Sequence, residues 1–288
     1  MTLITSSHPF SESHPIWLCD IWGVVHNGVA TFDTAVAALI RHREMGGTVI
    51  LISNSPRPKP KLIEQLEHLK ISSHAYDNII SSGDVTRSLV KDRISDTVFH
   101  LGPDRDKGIF EGLECQFSGA AGADYIVCSG LLDDTIETPD DYTDLLTECA
   151  EAGLSMVCAN PDLKVQRGDS LVYCAGALAK AYEVLGGEVI YAGKPYLPIY
   201  ELAIKQASKA RGELVETADV LAIGDGIHTD VAGAAQFGCD FLFITGGLHQ
   251  AEKGQSDFFG EDAARDIAKD IISASPTLKL LGVSQFLA

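Results

Sequence analysis

Short apolar runs that end abruptly in small or polar residues recur along this chain. Ile16-Trp17-Leu18-Cys19 runs into Asp20, Thr48-Val49-Ile50-Leu51-Ile52 into Ser53-Asn54, and Val189-Ile190-Tyr191-Ala192 into Gly193-Lys194-Pro195. Val220-Leu221-Ala222-Ile223 meets Gly224-Asp225-Gly226, and Phe241-Leu242-Phe243-Ile244 meets Thr245-Gly246-Gly247. Continuous apolar runs of this length fit strands buried on both faces, as in a parallel sheet. Between them lie segments with helical spacing. In Lys59–Lys70, Leu62, Ile63, Leu66 and Leu69 share one face while Lys61, Glu64, Glu67 and His68 face outward. Asp33–Met45 places Val36, Leu39 and Ile40 together, with Thr31 or Asp33 available as a cap, and Pro198–Ala210 reads as another helix. Strands alternating with helices predict βαβ units and an α/β fold, a Rossmann-like, doubly wound parallel sheet.

The alternation continues through the middle of the chain, at Ile79-Ile80, Val98–Leu101, Asp124–Cys128 and Ser155–Ala159, with helices around Asp140–Ala152 and Gly176–Leu185. This material lies between Ser53 and Lys194, so residues 79–188 read as an inserted α/β domain. Residues 1–78 and 189–288 then form the core domain. Ser275–Ala288 reads as one last short element.

In an open α/β sheet, ligands bind off the carboxyl ends of the strands where strand order reverses. Here those ends present Asp20, Ser53, Lys194 and Asp225. A carboxylate nucleophile, a hydroxyl, a cation and a second carboxylate are the parts of a metal-assisted phosphoryl-transfer site. Asp20 and Asp225 can share a Mg²⁺, a hard cation with oxygen ligands. Ser53 and Lys194 can hold phosphoryl oxygens, and Asp20 can attack phosphorus to give an aspartyl-phosphate. Each residue also has an ordinary reading as a turn or helix cap or a solvated charge; the inference rests on four complementary strand ends in one chain.

Composition narrows the class. The 288 residues are 45% hydrophobic and 22% charged, enough for a substantial core. The net charge of −18, with no basic patch, disfavours nucleic acid and anionic membrane surfaces as partners. No apolar stretch approaches the roughly 20 residues of a membrane span, and Met1–Pro15 lacks the pattern of a secretory signal. Seven scattered cysteines, none in a Cys-x-x-Cys pair, fit buried thiols and a cytoplasmic location. No Walker loop, post-strand GxGxxG, zinc-type histidine spacing or Gly-x-Ser-x-Gly elbow is present.

Taken together, the motifs resemble those of the haloacid dehalogenase superfamily. Asp20-Ile21-Trp22-Gly23-Val24 is similar to its first motif, Ile50–Asn54 to the second, Gly193-Lys194-Pro195 to the third and Gly224–Asp230 to the fourth. The large insert, with Cys158–Asp162 and Gly176-Ala177-Leu178, resembles the C2-type cap of the class IIA, NagD-like and p-nitrophenyl-phosphatase branch. The likeness spans Trp17 to about Gly247. It implies a cap that closes over the site, Mg²⁺ as cofactor, a small phosphorylated metabolite such as a sugar phosphate as substrate, and a possible homodimer. By the same resemblance Asp20 is nucleophile and metal ligand. The Trp22 backbone carbonyl and Asp225 complete the protein ligands, and Asp230 supports the metal's water shell or orients Lys194. Ser53 and Asn54 contact phosphate by that resemblance, beside Lys194 from its own strand end; Asn160-Pro161-Asp162 in the insert reads either as a turn or as a substrate contact through Asn160.

One position departs from the pattern. The phosphatases carry a second Asp two residues after the nucleophile, as general acid and then base; here that residue is Trp22. Loss of a general acid costs ~10²–10⁴-fold, least for leaving groups that depart as anions. His26 is the nearest titratable substitute, and Trp22 reads either as packing or as an aromatic platform. The phosphatase reading therefore stands beside two others: a phosphate-ligand binder with little turnover, and dehalogenase- or phosphonatase-type chemistry. Arg57 and Lys59 read first as a solvated helix start and Arg167 as a solvated charge, with contact to an anionic substrate as the alternative for each.

Overall fold

The computed structural model describes residues 3–167, 170–246 and 260–288. Gly168-Asp169 and Gly247, which ends the span of the family resemblance, lie outside the described residues. In chain order the elements are α1 (His8–Ser13), β1 (Ile16–Asp20), α2 (Asp33–Glu44), β2 (Thr48–Ser53), α3 (Lys59–His68), β3 (Asn78–Ser81) and α4 (Ser82–Asp92). There follow β4 (Thr97–Leu101), β5 (Gln116–Phe117), β6 (Tyr125–Cys128), α5 (Thr143–Glu151), β7 (Ser155–Cys158), β8 (Lys164–Arg167), β9 (Ser170–Tyr173) and α6 (Ala175–Val184). The chain closes with β10 (Val189–Tyr191), α7 (Leu197–Arg211), β11 (Val220–Gly224), α8 (Ala232–Phe237), β12 (Asp240–Ile244), α9 (Glu261–Ala274) and β13 (Lys279–Ser284).

Two compact units result. One comprises Met1–Ser53, Ile63–Ile80 and Lys194–Ala288; the other comprises Asn54–Leu62 and Ser81–Gly193. The first carries a six-stranded sheet ordered β13-β12-β11-β1-β2-β3, with β1 paired in parallel to both β2 and β11. Strand order reverses at β1: β2 and β3 extend to one side, β11 to β13 to the other. The parallel, helix-flanked α/β arrangement expected from the apolar runs is therefore present. All five residues of β1 and all six of β2 are buried, as the continuous runs require.

Large side chains fill this core: Trp17, Ile50, Leu51, Tyr200, Phe241 and Phe243 are all buried. Fully burying a Leu, Ile or Phe side chain contributes roughly 1.5–3 kcal/mol before entropy is counted. Helix α2 docks through His42, whose ring stacks on Trp17 with centroids 3.9 Å apart and planes 7° from parallel. Burial pushes the His42 imidazole down to about 4, so it folds neutral. Above an unfolded-state value near 6.5 neither state is protonated and the stabilisation is complete. Between there and about 4 the unfolded chain binds a proton that the native chain refuses, so stability falls as pH falls. Urea unfolding at pH 7 and pH 4.5 is expected to differ by less in His42→Phe than in the native chain, the difference being on the order of 2–3 kcal/mol.

The second unit has a five-stranded sheet, β10-β7-β6-β4-β5, with every pairing parallel. Its cores are built around Leu146, Met156, Leu178 and Tyr182 on one side and Val98, Ile109, Tyr125 and Val127 on the other. Here the observed pairing differs from the sequence expectation. A domain boundary at residue 189 places Val189–Tyr191 in the core sheet, but the strand pairs with β7, Val189 opposite Met156 and Tyr191 opposite Cys158. The crossover through α6 returns the chain to the neighbouring parallel position, where a three-residue apolar strand suffices as an edge. Residues 54–62 also group with this unit rather than with the core.

The hairpin of β8 and β9 stands as a separate antiparallel pair. It is tied to the loop after β6 through Asp134. Arg167 grips that buried carboxylate with both terminal nitrogens, at 2.8 and 2.6 Å, and Arg105 adds a third bond at 2.6 Å. Arg167 thus has a structural partner within its own unit. Lys59 donates its backbone N–H to Asp84 at 3.0 Å, and Arg57 is exposed. All seven cysteines are free thiols, six of them buried. Among the described residues no helix is long and apolar enough to cross a membrane.

Candidate active site

Three adjacent strands of the larger sheet deliver the site. Asp20 ends β1; Ser53 ends β2, one residue past the Asp20–Ile52 pair; Asp225 follows the last residue of β11. These strand ends lie at the reversal of strand order, where an open α/β sheet leaves a crevice. Lys194 enters at the start of the segment leading to α7. Residues Ile227–Val231 wind as one π-helical turn before α8, and Val231 donates its N–H back to the Gly226 carbonyl at 3.0 Å. That turn swings Asp230 back over its own strand end, where Oδ2 accepts the Gly226 N–H at 3.1 Å.

The side chains converge tightly. Carboxylate oxygens of Asp20, Asp225 and Asp230 lie within 4.8 Å of one another, and all three residues are buried. The Lys194 ammonium sits between two of them, 2.6 Å from Asp20 Oδ1 and 2.8 Å from Asp230 Oδ1. Asp20 Oδ1 also accepts the Ile21 backbone N–H at 2.8 Å. Three carboxylates against one ammonium leave an excess of negative charge in a desolvated place. Burial and the Asp230 charge push the Asp20 carboxyl well above its ordinary value, against the pull of Lys194. Burial draws the Lys194 ammonium down, yet Asp20 and Asp230 together hold it well above its ordinary value. Both directions report a site short of positive charge. Hard oxygen donors this close fit a divalent cation, and the candidate ligands are Asp20, Asp225 and Asp230.

Gly23 is the residue that sequence reasoning missed. Its φ is +84°, and a Cβ there would overlap the Asp225 carboxylate. The loop after β1 can therefore lie against Asp225 only with glycine at this position. The signal was available as a glycine directly after Trp22, but its partner lies some 200 residues away in sequence. Trp22 is half-buried, and its ring edge-on to His26 at 5.4 Å. His26 is buried; its Nδ1 accepts the Gly28 N–H at 2.9 Å, and burial lowers the imidazole to about 4. Through Nδ1, His26 is tied to its own loop.

The expected phosphate and substrate contacts divide between the units. Ser53 is buried in the first unit. Asn54 and Asn160 belong to the second, where both meet Asp162: Asn54 Nδ2 donates to its carboxylate at 2.9 Å, and its backbone N–H donates to Asn160 Oδ1 at 3.0 Å.

Comparison with known proteins fits this geometry. Residues 17–116 match the family described as haloacid dehalogenase-like hydrolase, and residues 191–274 match a second, HAD-hydrolase-like family. A haloacid dehalogenase-like family hydrolase from Brucella suis 1330 is 40% identical, covering 99% of this chain and 100% of its own, with a TM-score of 0.84. The chain belongs to the haloacid dehalogenase-like hydrolase family. At greater distance, p-nitrophenyl phosphatase from Archaeoglobus fulgidus is similar in fold, with a TM-score of 0.70, 21% identity and coverage of 94% of this chain and 95% of that one. The 5'-nucleotidase YutF of Bacillus subtilis (strain 168) is 21% identical over 245 residues, 84% of this chain and 91% of its own.

Proposed function

We propose that this protein is a Mg²⁺-dependent phosphatase that hydrolyses a small phosphorylated metabolite through an aspartyl-phosphate at Asp20. The observation that carries the reading is the Lys194 ammonium shared by Asp20 and Asp230 inside a buried cluster of three carboxylates. Asp20, Asp225, Asp230 and the Trp22 backbone carbonyl would hold the metal, whose charge would stabilise the phosphoryl oxygens and lower the repulsion between substrate and nucleophile. An Asp20 carboxylate oxygen attacks phosphorus while the bond to the leaving group breaks. Lys194 and the Ser53 hydroxyl bind the phosphoryl oxygens, and Lys194 keeps Asp20 ionised for attack. Asp230 orients Lys194. Water then cleaves the aspartyl-phosphate and returns Asp20 with release of inorganic phosphate. Asn54 and Asn160 are proposed substrate contacts of the second unit. The small-substrate reading is supported by the phosphatases among similar folds, including p-nitrophenyl phosphatase.

Trp22 favours a second reading, a phosphate-ligand binder with little turnover. Unfolding with and without Mg²⁺, together with phosphate release from p-nitrophenyl phosphate, separates the two. Saturation at 100 times Kd is expected to stabilise the protein by about 2.7 kcal/mol, with release that stops on chelation. Mg²⁺ stabilisation without release from any ester selects the binder. No effect of Mg²⁺ on stability defeats the metal site and the phosphatase reading with it.

A further inference from the structure

Two residues after Asp20, at the position where the phosphatases that its motif resembles carry a second Asp, the loop holds an aromatic ring, Trp22. Gly28 has φ +86°, and a Cβ there would overlap the outer edge of the Trp22 indole, so the ring rests on bare backbone. His26 braces it edge-on, at an interplanar angle of 78°. The loop is closed beneath them: Gly23 N–H donates to the His26 carbonyl at 2.8 Å, and Asn27 Oδ1 accepts the N–H groups of Val29 and Ala30 at 3.0 and 2.8 Å. The indole is thus fixed by its own loop, and its one polar hydrogen, on Nε1, is not an acid. The neighbours Ile21, Gly23, Val24 and Val25 have no ionisable group. His26 Nδ1 accepts the Gly28 N–H, which assigns the ring's hydrogen to Nε2 of a neutral imidazole. Lys194 is engaged by Asp20 and Asp230.

We infer that Trp22 is a specificity-determining residue that restricts the enzyme to phosphates whose leaving group departs as a stable anion. Acyl phosphates, aryl and enol phosphates and phosphoanhydrides meet that condition; simple alkyl esters such as hexose 6-phosphates do not. The inference rests on the phosphatase reading above and narrows its substrate class. In the first step the new bond joins an Asp20 oxygen to phosphorus, the bond to the leaving oxygen breaks, and that oxygen keeps the electron pair. It leaves as carboxylate, phenolate, enolate or phosphate, and no proton is needed. In the second step water attacks phosphorus, the pair returns to Asp20, and the water's proton goes to the phosphate released.

The test is the dependence of kcat/KM on the leaving group, measured with the full chain and Mg²⁺ on dinitrophenyl, nitrophenyl and phenyl phosphates, acetyl phosphate and glucose 6-phosphate. The native protein is expected to lose on the order of 10²–10⁴-fold from the most activated ester to the alkyl ester. Trp22→Asn, which removes the ring without adding an acid, keeps that steep order. Trp22→Asp gains on the order of 10²-fold or more on glucose 6-phosphate and little on the dinitrophenyl ester. Should either variant fail to fold, the native slope alone decides. Hydrolysis of glucose 6-phosphate within about tenfold of the dinitrophenyl ester overturns the inference but keeps the phosphatase, since a donor elsewhere in the chain must then act. Release from none of these compounds overturns the phosphatase reading and the inference together.

Discussion

Asp20→Asn is expected to lower hydrolysis of an activated aryl phosphate by at least about 10⁴-fold while the metal-free protein keeps or gains stability. Activity falls because the amide is no nucleophile. Stability does not, because the carboxylate stands in a desolvated cluster already overloaded with negative charge, which holds its pKa well above the ordinary value. An asparagine oxygen can still accept the Ile21 N–H that Asp20 Oδ1 now takes at 2.8 Å. The side chain is thus retained against the interest of the fold, a trade common at strained functional positions. Steady-state rates and urea unfolding on the same preparations check both halves. A large loss of stability in Asp20→Asn would mean that the carboxylate is a structural ion-pair partner first.

Lys194→Met has the opposite sign in stability, for the same electrostatic reason. It removes the ammonium bonded to Asp20 and Asp230, whose buried carboxylates lie close to that of Asp225, and so takes a positive charge out of the cluster. Breaking a buried pair by deleting one partner costs about 3–5 kcal/mol, mostly the uncompensated charge left behind. Urea unfolding in chelator is expected to show that loss, and added Mg²⁺ to recover part of it, because the cation supplies the positive charge that Lys194 no longer does. A variant as stable as the native chain in chelator would mean that the carboxylates take up protons readily and that the cluster is not electrostatically loaded.

The central sheet was legible because its strands are buried on both faces. Ile16–Cys19 and Phe241–Ile244 are apolar at every position, a pattern that surface elements do not show. The residues beyond those runs followed, since a parallel sheet puts its strand ends on one edge. Pairing was not legible for Val189–Tyr191, because a short apolar run fits the edge of any parallel sheet and its neighbour is chosen by the crossover. Helix Ser82–Asp92 carries a capping box between Ser81 and Asp84 that announces its start, but its moderate apolar content left it unread. The hairpin of β8 and β9 escaped because Lys164–Arg167 mixes charge with one valine, and because its tie to Asp134 spans more than thirty residues. At the site itself, the meeting of Asp20 and Asp225 is expected from their strand ends and Asp230 only from the family resemblance, whereas the glycine backbone pressed against Asp225 is a three-dimensional fact. It leaves no trace beyond one glycine among 27.

The strand order of the larger sheet also governs what happens while the chain is being made. β1 needs β11 on one side, and Val220 is synthesised roughly 200 residues after Asp20, a delay of about 10–40 s at 5–20 residues per second. During that interval the apolar strand Ile16–Asp20 can be flanked only by β2, with its other edge exposed to any competing partner. The second unit's sheet, whose last strand ends at Tyr191, is complete before β11 exists. A ribosome paused between Tyr191 and Val220 has therefore synthesised every strand of the second unit's sheet while β1, upstream of it, is still half-paired and in need of shelter. Asp20 leaves the ribosome long before the strand that completes its surroundings.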